Sequence, residues 1–333
     1  MTRATISDVA NAAGVSMKSV SRVINSEPNV SAKLRKKVED AIAALGYVPE
    51  LAARSLAGGR AFTLAVLFDN PSPNYTIKIQ AGAYRACREH GYHLLIETID
   101  STRDDVGVQM QSILRTSRVD GFIVTPPLTE CVAVLDMLEQ HDMPYVRVAP
   151  VSHPGRSAAI TIDDASAARE VARYLWQLGH RRVAIVNGPA EHGAAITRRI
   201  GFLDEIYKLG GDTVIEAYGG FAFDIGIAAG RELMSLPNPP TAIFATNDDS
   251  AAGVMSTIAE MGLKVPADVS VVGFDDSWIA KSVWPYLTTI FQPINDMAYS
   301  AANALIKRDE PLMQTALDYA LVVRNSAAQP RGA

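Results

Sequence analysis

From about residue 61 onward, short β-rich runs alternate with helical stretches, and this alternation limits the fold more than any other feature. Strand candidates are 63–68, 93–97, 121–125, 145–148, 183–186, 242–245 and 269–274, where aliphatic and β-branched residues predominate. Helical patterns fall between them, near 76–90, 105–117, 164–178, 195–209, 224–235 and 249–261. Strands separated by helices pair in parallel, because each needs a crossover to re-enter the sheet in the same direction. The crossover helices then cover both sheet faces. About 270 residues exceed what one such sheet needs, so the expected body has two α/β lobes. Ligands in open α/β sheets bind beyond the carboxyl ends of the strands, so facing lobes hold a ligand in the cleft between them.

The first 60 residues read differently. Thr5-Ile6-Ser7-Asp8 has the form of a capping box and opens an apolar run at Val9, Ala10 and Ala13. Gly14 can end that helix in a left-handed conformation. Val15 leads to Ser16, a candidate cap for a second helix over 17–24. There Val20, Val23 and Ile24 form one stripe, and Met17, Lys18, Ser21 and Arg22 form another, about 140° away. A third helix starts near Ser31, with Leu34, Val38, Ala41, Ile42 and Leu45 as its expected buried face. Two short helices joined by a glycine turn and closed by a third make an all-α helix-turn-helix head. The polar stripe suits a major groove, although any small helical domain also has one polar face.

Charge is divided in the same way. The net charge is −5, yet residues 1–60 hold nine Lys and Arg against five Asp and Glu, a balance of +4, which leaves −9 for the rest. A basic head on an acidic body is the split expected if only the head meets a polyanion. No run of about 18 apolar residues is present, so no membrane contact is expected. The first residues carry no apolar leader core, and the expected location is the cytoplasm. Cys87 and Cys131 have no metal spacing, and neither a phosphate-binding glycine loop nor a nucleophile elbow occurs. No cofactor, no metal and no enzymatic activity are therefore expected. The competing enzyme reading rests on the four carboxylates of Asn247-Asp248-Asp249 and Phe274-Asp275-Asp276.

These residues also carry a resemblance. Thr5-Ile6-Ser7-Asp8-Val9-Ala10, Ala13-Gly14-Val15-Ser16, Ser19-Val20-Ser21-Arg22-Val23-Ile24-Asn25, Leu45-Gly46-Tyr47-Val48-Pro49 and Ala53-Arg54-Ser55-Leu56 resemble the head of LacI/GalR-type transcriptional regulators. Leu178-Gly179-His180-Arg181-Arg182, Asn247-Asp248, Gly273-Phe274-Asp275-Asp276 and Leu287-Thr288-Thr289-Ile290 resemble that family's effector domain, itself similar to periplasmic sugar-binding proteins. The resemblance implies a DNA-binding domain over 1–49, a hinge helix and linker over 50–60, and an effector and dimerisation domain over 61–333. Its N-lobe would take 61–161 and 292–320, and its C-lobe 162–291 and 321–333.

Carried over position by position, Met17 and Lys18 read bases and Arg22 joins them, while Thr5, Ser16, Ser21, Asn25 and Ser31 sit among backbone contacts. Leu56 becomes an apolar wedge in the minor groove, and Ala53 lets two hinge helices approach closely. Glu50 departs from the Asn usual there. The cleft would use Arg198, Asn247 and Asp275 as polar anchors, Tyr75 and Phe221 as aromatic faces, and Thr125 at an N-lobe strand end. Asp69, Asn70 and Ser72 are further candidates, and Ala149 stands where the family commonly has Asp. The implied protein is a homodimeric repressor of a pseudo-palindromic operator, controlled by a small sugar or glycoside. A purine or nucleoside acting as corepressor is the alternative. After a last strand candidate near 321–323, ten residues without heptad leucines form no tetramerising coiled coil, and a dimer is expected.

Overall fold

The computed structural model describes residues 4–24, 30–47, 60–308 and 314–331. Asn25 and the expected hinge positions Glu50, Ala53 and Leu56 lie outside the described residues. The chain divides into a helical unit and an α/β unit.

The helical unit contains α1 (Ile6–Ala13), α2 (Met17–Ile24) and α3 (Ala32–Leu45). Its capping box forms: Asp8 N donates to Thr5 Oγ1 at 3.3 Å, and Thr5 N donates to Asp8 Oδ2 at 2.8 Å. These bonds hold the Asp8 carboxyl below its usual range. Gly14 adopts φ 58°, which closes α1 and turns the chain into α2. Val9, Ala10, Ala13, Val20, Val23, Val38, Ala41 and Tyr47 form the core. Leu45 departs from the expected buried face of α3 and is 40% exposed. It lies in the last turn, just before left-handed Gly46, and Tyr47 takes the core position instead.

The α/β unit has two six-stranded sheets. The first holds β1 (Thr63–Phe68), β2 (His93–Thr98), β3 (Phe122–Val124), β4 (Tyr145–Val148), β5 (Ala158–Thr161) and β11 (Gln314–Ala316), in the order β11-β5-β4-β3-β1-β2. The second holds β6 (Val183–Asn187), β7 (Val214–Tyr218), β8 (Ala242–Ala245), β9 (Ser270–Asp275), β10 (Thr288–Phe291) and β12 (Ala320–Val322), in the order β12-β10-β9-β8-β6-β7. All pairs are parallel except β10 with β12. Central strands such as β1, β3 and β8 are buried almost end to end, as helices on both faces require.

The chain passes between the sheets after β5, after β10 and after β11. Helix α4 (Pro73–Glu89) packs on α11 (Ile294–Lys307) in the first lobe. Gly82 permits their close approach, because a Cβ there would overlap the Asn295 carbonyl. The strands Ala158–Thr161, Val214–Tyr218 and Thr288–Phe291 and the helices Val132–Gln140 and Ile294–Lys307 exceed the elements expected from the sequence.

Candidate functional site

In the helical unit, α2 buries Val20 and Val23 and turns its other stripe outward. Met17 is 54% exposed, Lys18 is exposed, and Ser21 and Arg22 are half-buried. The Thr5 hydroxyl serves the capping box, donating to Asp8 Oδ2 at 2.7 Å. Ser16 Oγ accepts from Ser19 N at 3.1 Å, and Ser31 Oγ accepts from Leu34 N at 3.3 Å, so both start helices. These N-termini expose backbone N–H groups of the kind that bind phosphate.

In the α/β unit, strand ends and helix starts from both lobes converge on one cavity. Arg198, Asn247, Asp275, Tyr75 and Phe221 all line it, together with Asn70, Ser72, Pro126, Ala149, His192, Ala194 and Gln292. Arg198, on helix α8 (Gly193–Lys208), is the hub. Its Nε donates to Asp164 at 2.7 Å, Nη1 to the Thr246 carbonyl at 2.8 Å, and Nη2 to Gln292 Oε1 at 3.2 Å. Its guanidinium lies 3.6 Å above the Phe274 ring. Three of the five N–H groups of a guanidinium are thus used, and the others remain for a ligand.

Asp275 ends β9 with φ 113°, a backbone that turns its carboxylate toward the cavity. Its nearest cation is Arg198 Nη1 at 3.9 Å, and among the described residues nothing donates a hydrogen bond to its carboxylate. Burial raises its pKa, against the opposing pull of Arg198. Asn247 caps helix α10 (Asp248–Glu260) and donates to the Phe221 carbonyl at 3.0 Å, which fixes the aromatic loop. His192 meets Phe221 edge-on with centroids 4.8 Å apart.

Two buried groups in this wall have no partner. Among the described residues, the Tyr75 hydroxyl and both His192 ring nitrogens find no hydrogen-bond partner. Burial, with the charge of Asp275 adding to it, raises the Tyr75 pKa, while burial pulls that of His192 down to about 3 and keeps it neutral. A neutral imidazole donates from one nitrogen and accepts at the other, so this wall matches hydroxyl groups.

Thr125 requires a correction. Its hydroxyl donates to the Leu67 carbonyl at 2.7 Å and the residue is fully buried, so it ties β3 to β1, and Pro126 lines the cavity instead. His192 and Gln292 were not singled out as ligand contacts, although both follow strands of the second sheet, where the strand-end rule points. Space between the walls amounts to about 330 Å3. A larger outer chamber shares Asn70 and His192 with it. Among the described residues, no cluster of His, Cys, Asp and Glu has the geometry to hold a metal.

Residues 5–50 match the family described as bacterial regulatory proteins, lacI family, and residues 172–327 match a periplasmic binding protein-like domain. The chain is 31% identical over 307 residues to catabolite control protein A of Priestia megaterium, covering 91% of this chain and 92% of that protein. It is 32% identical over 315 residues to the ribose operon repressor of Escherichia coli K12, covering 93% and 95%. Among solved structures it resembles the lac repressor dimer bound to operator and the anti-inducer ONPF, with a TM-score of 0.80 and 28% identity over 98% of this chain and 100% of that one. The cellobiose complex of the transcriptional regulator CelR follows with a TM-score of 0.72 and 29% identity at the same coverage. A capped helix-turn-helix unit, a two-lobed parallel-sheet unit and these full-length likenesses lead to one assignment: the chain belongs to the LacI family of bacterial transcriptional regulators.

Proposed function

We propose that this protein is a homodimeric cytoplasmic repressor that binds a pseudo-palindromic operator and is controlled by a small sugar or glycoside in the interlobe cavity. Residues 1–49 form the DNA-binding domain, 50–60 the hinge and linker, and 61–333 the effector and dimerisation domain. Met17, Lys18 and Arg22 read the major groove, with Thr5, Ser16, Ser21, Asn25 and Ser31 at the backbone and Leu56 with Ala53 in the minor groove. The observation that carries the effector reading is the cavity wall. Arg198 has spare donors, the Asp275 carboxylate has no donor, and the Tyr75 hydroxyl and His192 imidazole have no partner. Ring hydroxyls satisfy all four, and Tyr75 and Phe221 offer apolar faces to the ring. The relatives named for ribose and for a cellobiose complex agree with that chemistry.

A melting-temperature screen of the full-length protein against ribose, cellobiose, aryl glycosides and nucleosides tests this. A ligand at 100 times its Kd stabilises the folded state by about 2.7 kcal/mol. A sugar that shifts the wild type but not Arg198→Ala, and that changes operator retention, supports the reading. A nucleoside as the only such ligand replaces sugar with purine control. Leu56→Ala checks the hinge assignment: operator affinity falls while ligand binding persists, and unchanged operator affinity refutes it.

A further inference from the structure

The charges around both chambers say more about the ligand than the hydroxyl match does. In the inner cavity Arg198 is the one Lys or Arg among the lining residues, and it is already bound to Asp164 at 2.7 Å with Asp275 at 3.9 Å. Lys78 stands nearby but turns its ammonium to the backbone carbonyls of Asp275 and Asp276, at 2.7 and 2.9 Å. His192 is held neutral by burial and brings no positive charge.

The outer chamber is lined by Asp69, Asp100, Glu130 and Glu191 and by no Lys or Arg. Asp69 accepts from Ser101, Asp100 from Thr102, and Glu130 from Val151 and Ser152; all these donors are uncharged. None of the four carboxylates forms an ion pair among the described residues. The chamber beside the inner cavity is thus lined by four carboxyl groups and by no cation, although Arg103 lies within the field of Asp100 and Arg147 within that of Glu130.

We infer that the cleft selects its effector by charge, admitting an uncharged, hydroxyl-rich ligand and rejecting the phosphorylated or carboxylated form of the same molecule. The inference rests on the effector reading above and sharpens it. A phosphate or carboxylate inside the cavity leaves water for a buried medium that screens poorly, where Arg198 is the one cation among the lining residues. Through the spare N–H groups of Arg198 it would compete for a cation already shared by Asp164 at 2.7 Å and Asp275 at 3.9 Å. An uncharged polyol has no charge to bury. It accepts from the spare N–H groups of Arg198, donates to Asp275, and pairs with the Tyr75 hydroxyl and the His192 ring.

Calorimetric titration of the full-length protein with matched pairs tests this: ribose and ribose 5-phosphate, glucose and glucuronate, cellobiose and cellobionate, adenosine and its monophosphate. Whichever uncharged member binds, its anionic partner should bind at least about tenfold more weakly. The double variant Asp100→Asn, Glu191→Gln should narrow that gap several-fold at low salt, because both residues are exposed and their field is screened by ions. An anionic member that binds as tightly as its uncharged partner, and is lost in Arg198→Ala, overturns the charge inference while leaving the cleft as the effector site. Binding that survives Arg198→Ala, or no binding by any member, removes the effector reading, and the charge inference falls with it.

Discussion

Phe221 holds a left-handed backbone, φ 59°, and its surroundings explain how an aromatic residue is kept there. Asn247 donates to its carbonyl at 3.0 Å, and Gly188 leaves room for its ring. A Cβ at Gly188 would overlap the ring edge and stand 2.8 Å from the Ala195 methyl. Gly188→Ala should therefore cost about 1–3 kcal/mol of stability, read by urea unfolding, and weaken effector binding by displacing the ring. Full retention of both would mean that the loop repacks freely. Asp248 and Asp275 make a second statement at this scale. Burial raises both carboxyls, and the charge of Asp275 adds to the effect at Asp248. In the unfolded chain both titrate near 4, so above that pH the folded state holds more protons and stability falls as pH rises. Between pH 5 and 7 the wild type should lose stability more steeply than Asp275→Asn, by up to about 1.4 kcal/mol per pH unit for one proton. Parallel pH profiles would refute this. Arg198, Asn247 and Asp275 were legible through the family resemblance, with Asn247 and Asp275 near strand ends and Arg198 on helix α8. The unpartnered state of Tyr75 and His192 was not, because it arises from burial by segments distant in sequence.

At the scale of elements, two helix starts grip each other across the cleft. Ser72 caps α4 and donates to Asp249 Oδ2 at 2.6 Å, and Asn74 donates to Asp249 Oδ1. Asp249 lies in the first turn of α10, where the helix dipole also favours its charge. One turn further along α4, Lys78 reaches the carbonyls at the end of β9. Asp249→Ala removes the acceptor for Ser72 and Asn74, and charged hydrogen bonds of this kind are worth about 1.5–3 kcal/mol. The ligand-free variant should show a larger radius of gyration by small-angle scattering, and effector affinity should fall about tenfold or more. An unchanged radius and affinity would mean that closure is set elsewhere. The sequence gives no local sign of this bridge, since its partners are 177 and 175 positions apart. Length alone did not decide which elements were legible: the four-residue strands Tyr145–Val148 and Ala242–Ala245, buried end to end, were expected, and the 14-residue Ile294–Lys307 helix was not. Strands such as β1 and β9 announce themselves, whereas Val214–Tyr218 is only partly buried. Helix α11 did carry a readable stripe at Ile294, Met297, Ala298, Ala301, Ala302 and Leu305, masked by its alanines.

At the scale of the whole molecule, three passages of the chain between the two sheets set how the lobes can move. Few-residue connections of this type absorb rotation while each sheet stays intact, which is the behaviour of hinge closure. Gln292 occupies one passage and accepts from Arg198, so the same side chain that lines the cavity also spans a connection. If the lobes move about these passages, a ligand drawing on Arg198 acts on that equilibrium and the equilibrium in turn biases the ligand. If that equilibrium also governs operator binding, thermodynamic linkage leaves no freedom in the outcome. The factor by which the effector changes operator affinity must equal the factor by which operator changes effector affinity, whichever the sign, and typically lies near 5–150-fold. Titrating effector into free and operator-saturated protein, and operator into free and effector-saturated protein, measures both factors. They should agree within error, and both should collapse toward one in Asp249→Ala if lobe closure is the coupling step. Equal factors that persist in that variant would place the coupling in another element, because reciprocity holds for any linked pair while its dependence on Asp249 does not.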